Sequence, residues 1–164
     1  MRADSKGLKH SWDFSTPPGI REMEPSHLEE VLGIEAVSSL EPWSHSMFLQ
    51  EMTQTLSHCF IIQSEGEPAA GVQGFICFRT VGDESEISNL AVHPEYRRKG
   101  VGKSLMQFYI GFCRKRNIRK LYLEVHSSNQ AALSLYRSFS YQAVGIRPKF
   151  YQHRFDAVQM MKEI

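Results

Sequence analysis

The chain has 164 residues, 41% of them hydrophobic and 23% charged, and its 19 Lys and Arg nearly balance 18 Asp and Glu for a net charge of +1. That length suits one well-buried domain. The near-neutral charge excludes the strongly basic surface of a nucleic-acid or membrane-surface binder. No apolar run approaches the roughly 18 residues that span a bilayer, and no signal-peptide pattern opens the chain, so no membrane partner is expected. Residues 1–19 read as a flexible polar arm ending in Thr16-Pro17-Pro18-Gly19, which blocks regular structure. Residues 20–164 read as a single domain. Ile20 to Met23 is a short first strand. Pro25-Ser26 opens a helix in which Leu28, Val31, Leu32 and Ile34, continuing to Val37 and Leu40, mark one buried face. Glu41-Pro42-Trp43-Ser44 interrupts it, and Ser44 caps a second helix through Met47, Phe48 and Met52.

The period then changes. Cys59 to Ile62, Gly71 to Arg79 and Glu86 to Val92 are rich in aromatic and β-branched residues and separated by turn sequences, which predicts a three-strand antiparallel meander. A long helix follows from Val101 to Arg116, with Val101, Leu105, Phe108 and Phe112 as its stripe. Leu121 to Val125 is a strand, Asn129 to Phe139 a helix, and Tyr141 to Ile146 and Val158 to Lys162 are strands. This order predicts an α/β fold: a central, mostly antiparallel mixed sheet of about six or seven strands with helices on both faces.

The stretch Arg97-Arg98-Lys99-Gly100-Val101-Gly102-Lys103 carries a strand through a loop into the long helix. Its glycines let a ligand approach the backbone, and the first helical amides have no internal partner. Four cations lie within seven positions. That chemistry suits a phosphate-bearing ligand. A Walker A loop would need glycine where Arg97 stands, and the dinucleotide fingerprint would need one at Leu105. A tight turn with a solvated basic rim remains the alternative on these residues alone. In Leu121-Tyr122-Leu123-Glu124-Val125 the residues alternate, so Tyr122 and Glu124 share a face. A carboxylate in so apolar a strand is either edge-exposed or kept for chemistry. Asn129 or Ser128 can cap the next helix. Tyr136, two turns in, occupies a position more often core than catalytic. Cys59, Cys77 and Cys113 form an odd count without Cys-x-x-Cys spacing, and the seven histidines include no His-x-x-x-His pair. No disulfide framework or metal site is expected, a reducing cytoplasm is the expected setting, and the thiols read as buried and structural.

Taken together these residues resemble the GNAT superfamily of acetyl-CoA-dependent N-acetyltransferases. Arg97-Arg98-Lys99-Gly100-Val101-Gly102 matches the family's Q/R-x-x-G-x-G/A loop. Leu90-Ala91-Val92 before it, and Asn129 with Ala131, Leu135 and Tyr136 after it, match as well. Within the superfamily, Glu41-Pro42-Trp43-Ser44, Leu121 to Asn129 and Ile146-Arg147-Pro148-Lys149-Phe150-Tyr151 most resemble the RimI-type ribosomal-protein-alanine N-acetyltransferases. The resemblance implies a GNAT-like fold, with Glu124 as proton acceptor and Tyr136 as proton donor. It also implies acetyl-CoA as co-substrate, held by Leu90, Ala91 and Val92, by Arg97, Arg98, Lys99, Gly100, Val101, Gly102 and Lys103, and by Asn129. Two segments depart from the family. Its Leu-Gly-Phe becomes Phe139-Ser140-Tyr141, which predicts a strained helix end, and its Arg-Asn-Tyr-Tyr becomes Pro148-Lys149-Phe150-Tyr151.

An amine at neutral pH is mostly protonated, so Glu124 can serve as its base, and Tyr136 can protonate the departing thiolate. The Val92 amide is a candidate oxyanion donor. Trp43, Phe150 and Tyr151 line a candidate groove for the acceptor, expected to be a protein or peptide N-terminus, although Trp43 also reads as a packing residue. His93 and His126 read as structural or solvent-facing. The alternatives are transfer to a lysine, polyamine or small-molecule amine, or a non-catalytic acyl-CoA sensor.

Overall fold

The computed structural model describes residues 17–65 and 71–164, so residues 1–16 of the expected arm lie outside it, as do residues 66–70. Residues 17–19 form a turn whose Gly19 carbonyl accepts from Gln63 N–H at 3.0 Å. The elements follow as β1 (Ile20–Glu22), a 3-10 turn (Pro25–His27), α1 (Leu28–Ser38), α2 (His45–Thr53), β2 (Ser57–Gln63), β3 (Val72–Val81) and β4 (Glu84–Val92). After a second 3-10 turn (Pro94–Tyr96) come α3 (Val101–Lys115), β5 (Lys120–His126), α4 (Gln130–Ser138), β6 (Gln142–Tyr151) and β7 (Phe155–Glu163).

Local chemistry explains the boundaries. Ser44 Oγ accepts from Met47 N–H at 3.2 Å and starts α2, and Asn129 Oδ1 accepts from Ala132 N–H at 3.1 Å and starts α4. Both satisfy amides that have no partner within their helix. Pro25 begins a tight turn, so α1 starts three residues later than the sequence suggests. The expected apolar face is also cut short. Leu28, Val31, Ile34 and Glu35 are buried, whereas Val37 and Leu40 are 63% and 49% exposed. Val37 falls off that face, and Leu40 lies beyond the end of the helix at Ser38.

The seven strands lie in the order β1-β2-β3-β4-β5-β7-β6, antiparallel except for the parallel β4–β5 pair. Side-chain alternation divides the core between the two faces. On one face Phe60, Ile76 and Phe78 pack against α3 and α4, and the Phe60 and Phe108 rings sit 4.6 Å apart. On the other, Ile61, Phe75 and Cys77 pack against Leu28, Val31 and Ile34 of α1 and Phe48 of α2. The mixed sheet with helices on both faces is as expected. β6 runs further than expected, through Pro148 to Tyr151, and pairs as a hairpin with β7, whose first residue is Phe155. Tyr151 therefore ends a strand instead of lying in a loop. Among the described residues no helix is long and apolar enough to cross a membrane.

One irregularity matters most for the site. Across β3 and β4, Phe78 pairs with Ile87 but Cys77 pairs with Asn89, which leaves Ser88 as a bulge. Bulges bend the strand and sharpen its twist. The parallel ladder joins Glu84 through Ile87 to Lys120 through Leu123 and stops there. Beyond it, residues 89–92 and 124–126 have no ladder between them, and a gap opens inside the sheet.

Candidate active site

The first wall of the gap is backbone. His93 N–H donates to Gln73 O at 2.8 Å, so His93 and Ala91 turn their main-chain groups towards β3. By the alternation of an antiparallel ladder, Leu90 and Val92 turn theirs away from β3, into the gap. Arg97 Nε takes the Val92 carbonyl at 3.1 Å, and its Nη2 reaches Ser38 Oγ at 3.2 Å. Arg97 is thus committed as a strap between β4 and α1, unlike its basic neighbours. The Val92 N–H remains directed into the gap.

The loop beyond Arg97 turns through left-handed backbone at Arg98 (φ 60°) and Gly100 (φ 84°). Its first helical bond runs from Ser104 N–H to Gly100 O at 2.9 Å, which leaves the amides of Val101, Gly102 and Lys103 without helical partners. This is a ready anion cradle at the positive end of a helix. Gly102 serves packing as well. A Cβ there would come within 3.2 Å of the Leu135 side chain on α4 and 3.7 Å of Val92. Asn129 spends its Oδ1 on the α4 cap.

The opposite wall carries side chains. Glu124 and Tyr122 point to the α1–α2 face, since Leu121, Leu123 and Val125 are buried in the α3–α4 core. Glu124 Oε1 lies 2.8 Å from Arg147 Nη2 and 3.3 Å from Gln159 Nε2. Neither partner is visible by sequence spacing, because each depends on strand register. The register of the antiparallel β5–β7 pair places Gln159 directly opposite Glu124.

Tyr136 is buried on α4, with its ring 5.9 Å from that of Tyr141. Burial pushes its hydroxyl well above the usual phenol range, and the neighbouring Tyr151 adds to the rise. Burial likewise raises Tyr151, with Glu124 and then Glu41 contributing. Both phenols stay protonated at neutral pH.

The β6–β7 hairpin is tied to the α1–α2 loop. Gln152 N–H donates to Glu41 Oε1 at 2.7 Å, and Gln152 Nε2 donates to Leu40 O at 3.0 Å. The Phe150 and Tyr151 rings sit 5.0 Å apart on this hairpin. Trp43 packs 5.1 Å from Phe48 and donates its backbone N–H to the buried Glu35 at 3.1 Å. Asn89 Nδ2 holds the other Glu35 oxygen at 3.0 Å, so one carboxylate ties the acceptor loop to the strand beyond the bulge. His126 lies at the end of β5, and its Nε2 is buried without a hydrogen-bond partner. Its Nδ1 accepts from Ser128 N–H at 3.0 Å, and its ring packs 4.8 Å from Phe155 and 5.2 Å from Tyr151. The three cysteines are free and buried. Burial pushes the Cys77 thiol well up and the Cys113 thiol to about 11, so neither is a thiolate nucleophile at neutral pH.

The site is thus a split parallel pair in an otherwise antiparallel sheet, with a helix N-terminus at one end and a carboxylate on its wall. The acetyltransferase (GNAT) family matches residues 25–141, and the chain belongs to that family and is an N-acetyltransferase that uses acetyl-CoA. It is 33% identical over 144 residues to the [ribosomal protein bS18]-alanine N-acetyltransferase of Escherichia coli, covering 86% of this chain and 94% of that protein. It is also 33% identical over 113 residues to the N-alpha-acetyltransferase RimI of Mycobacterium tuberculosis, covering 68% and 69% of the two chains. The crystal structure of the ribosomal-protein-S18-alanine N-acetyltransferase from Escherichia coli superposes with a TM-score of 0.78 at 31% identity, covering 88% of this chain and 92% of the other.

Proposed function

We propose that this enzyme moves acetyl from acetyl-CoA directly to the N-terminal α-amine of a protein, with Glu124 as proton acceptor and Tyr136 as proton donor. The observation that carries the reading is the gap between β4 and β5. Its backbone wall suits an extended thioester arm, and Glu124 stands on its other wall. The names of the relatives support the choice of acceptor. The pyrophosphate rests on the amides of Arg98 to Lys103, with Lys99 and Lys103 at the rim, and the Asn129 amide steadies the pantetheine arm. Leu90, Ala91 and Val92 run alongside that arm.

Glu124 takes a proton from the α-ammonium, and the free amine attacks the thioester carbon. The Val92 N–H stabilises the oxyanion that forms. As the tetrahedral intermediate collapses, the C–S bond breaks and the Tyr136 hydroxyl protonates the CoA sulfur. That hydroxyl is protonated at neutral pH and so has a proton to give. Trp43, Phe150 and Tyr151 line the acceptor groove, which the Gln152–Glu41 bridge closes to all but an extended chain end. A small first residue fits beside the thioester, whereas a large one displaces the amine, and about 1 Å of misplacement costs on the order of a hundredfold in rate.

The test is a competition among peptides that differ only in their first residue, with free lysine and spermidine included, read by mass spectrometry for the acetylated nitrogen. Peptides beginning with Ala or Ser should lead, Leu should follow, and the free amines should trail. Acetyl found only on ε-amines or on spermidine would overturn the α-amine reading. CoA bound without any thiol release would mark a sensor instead.

A further inference from the structure

The row of residues that crosses β5, β7 and β6 at Glu124 contains an arrangement that the transfer chemistry above does not use. Glu124 stands directly opposite Gln159, and Gln159 stands directly opposite Gly145. Gly145 has no side chain, and a Cβ built on it would lie 2.6 Å from Gln159 Oε1. The Gln159 amide therefore occupies the space that any other residue at position 145 would fill. Its oxygen lies towards β6 and its nitrogen towards β5, where Nε2 donates to Glu124 Oε1 at 3.3 Å. The Gly145 backbone is outside the left-handed region, so conformational freedom does not require a glycine there. What the position requires is room.

We infer that Gln159 is a positioning residue for the catalytic carboxylate. Admitted by Gly145, its amide and the Arg147 guanidinium grip Glu124 Oε1 from two sides and leave Oε2 for the acceptor amine. The inference rests on the reading of Glu124 as the proton acceptor. A carboxylate on a strand has rotamer freedom about each of its side-chain bonds, and a base acts only within hydrogen-bond reach of its proton. Two donors on one oxygen remove that freedom before substrate arrives. Arg147 is half exposed and also lies over the Phe150 ring at 4.8 Å, so it can move with the acceptor groove. Gln159 is neutral, and its amide is lodged between Gly145 and Glu124, which makes it the less exposed half of the grip. The charged and titratable groups around Glu124 are Arg147 and Tyr151 from β6, Glu41 reaching Tyr151 from the α1–α2 loop, and His126 on its own strand.

Four variants of the full chain test this against Glu124→Gln. Gln159→Ala should lower kcat roughly tenfold, the effect expected from losing one hydrogen bond to a charged group, with KM for acetyl-CoA unchanged. Gln159→Glu places a second carboxylate beside Glu124 and should move the acidic limb of the kcat–pH profile upward. Gly145→Ala touches no substrate, yet it should lower kcat in the same direction by crowding the amide. Gly145→Ala with Gln159→Ala should be no slower than Gln159→Ala alone, because the crowded group is gone. Melting curves and CoA binding show that each variant is folded, and Gly145→Ala decides the matter if Gln159→Ala is not. A crippled Glu124→Gln enzyme beside Gln159 and Gly145 variants with normal kcat and pH profiles would overturn the positioning role alone. A fully active Glu124→Gln enzyme would overturn the base assignment and this inference with it.

Discussion

The start of α3 and the hairpin between β6 and β7 are built in opposite ways. At α3 a contiguous run turns through Arg98 and Gly100 and presents main-chain amides. At the hairpin, three residues without glycine's freedom, Lys149, Gln152 and His153, hold φ values of 51°, 50° and 53°. Each such residue costs about 1 kcal/mol in isolation. The cost is offset by one bond within the hairpin, Lys149 N–H to Asp156 Oδ1 at 3.0 Å, and one to a distant group, Gln152 N–H to Glu41 Oε1 across 111 residues. A backbone cradle takes any ligand with the right phosphate. A hairpin shaped by its own side chains and held to another loop can be re-cut to a new acceptor without disturbing the cofactor loop.

The sharpest break in that comparison comes from Glu124, which belongs to the acceptor side although it lies on a central strand. Glu124→Gln should slow transfer by roughly 10²-fold or more at neutral pH while acetyl-CoA binding stays normal. Raising the pH should recover part of the loss, because the amine then deprotonates unaided. Equal losses at every pH would show that the carboxylate holds substrate instead of taking its proton.

Tyr136 tests the same boundary from the other side. Tyr136→Phe should slow transfer about tenfold and leave binding of both substrates intact, as expected for a group that acts only as the thiolate departs. Since Tyr136 is buried, a melting curve accompanies the rate. A fully active Tyr136→Phe enzyme would leave the donor to Tyr151 or solvent.

On the cofactor side, Gly100 and Gly102 come apart. A Cβ at Gly100 meets nothing within 4 Å, whereas one at Gly102 meets Leu135. Gly100→Ala should therefore cost only left-handed strain, about 1 kcal/mol, and raise KM for acetyl-CoA several-fold. Gly102→Val should weaken CoA binding more and also lower the melting temperature by pushing α4 from α3. KM for the acceptor should hold steady in both. Unchanged affinity in a folded Gly102→Val protein would remove the phosphate from this loop.

The same contrast explains how much could be read without coordinates. The loop from Arg97 to Lys103 is local, so its glycines, cations and helix start were all legible, and so were the meander and the alternation that turned Glu124 away from the α3 core. Ser140 was legible too, and it adopts the left-handed φ of 65° that the missing glycine implied. What stayed hidden was non-local. Nothing in the spacing says that Ser88 bulges, that Gln159 faces Glu124, or that Arg97 folds back to Val92 and Ser38. The 3-and-4 apolar spacing carried the buried face of α1 on to Val37 and Leu40, which are exposed, and gave no sign that Glu35 is buried. In the structure Glu35 is one of the most buried residues of that helix.

Glu35 supplies the smallest effect and the most specific one. Burial raises its pKa above the ordinary value of 4.5, against the opposing pull of Trp43 N–H and Asn89. The folded protein then holds a proton that the unfolded chain has released, so stability falls as pH rises from about 4.5 through the higher native value. Glu51 on α2 is the reverse case, because Arg79 holds its carboxyl below 4.5. Its contribution is present above 4.5 and is lost as pH falls through the lowered native value. Glu35→Gln keeps an acceptor for Trp43 N–H, and an amide flip lets Asn89 pair with it. This variant should melt at least as high as the parent at pH 7, by up to about 1 kcal/mol for each pH unit by which Glu35 is shifted, and lose that advantage near pH 4. Transfer at pH 7 should change less than about twofold, because the α1–α2 loop keeps its tie to β4. A variant that melts well below the parent at pH 7, with KM for the acceptor raised, would show that the loop is held by the charge on Glu35 and not by its hydrogen-bonding shape.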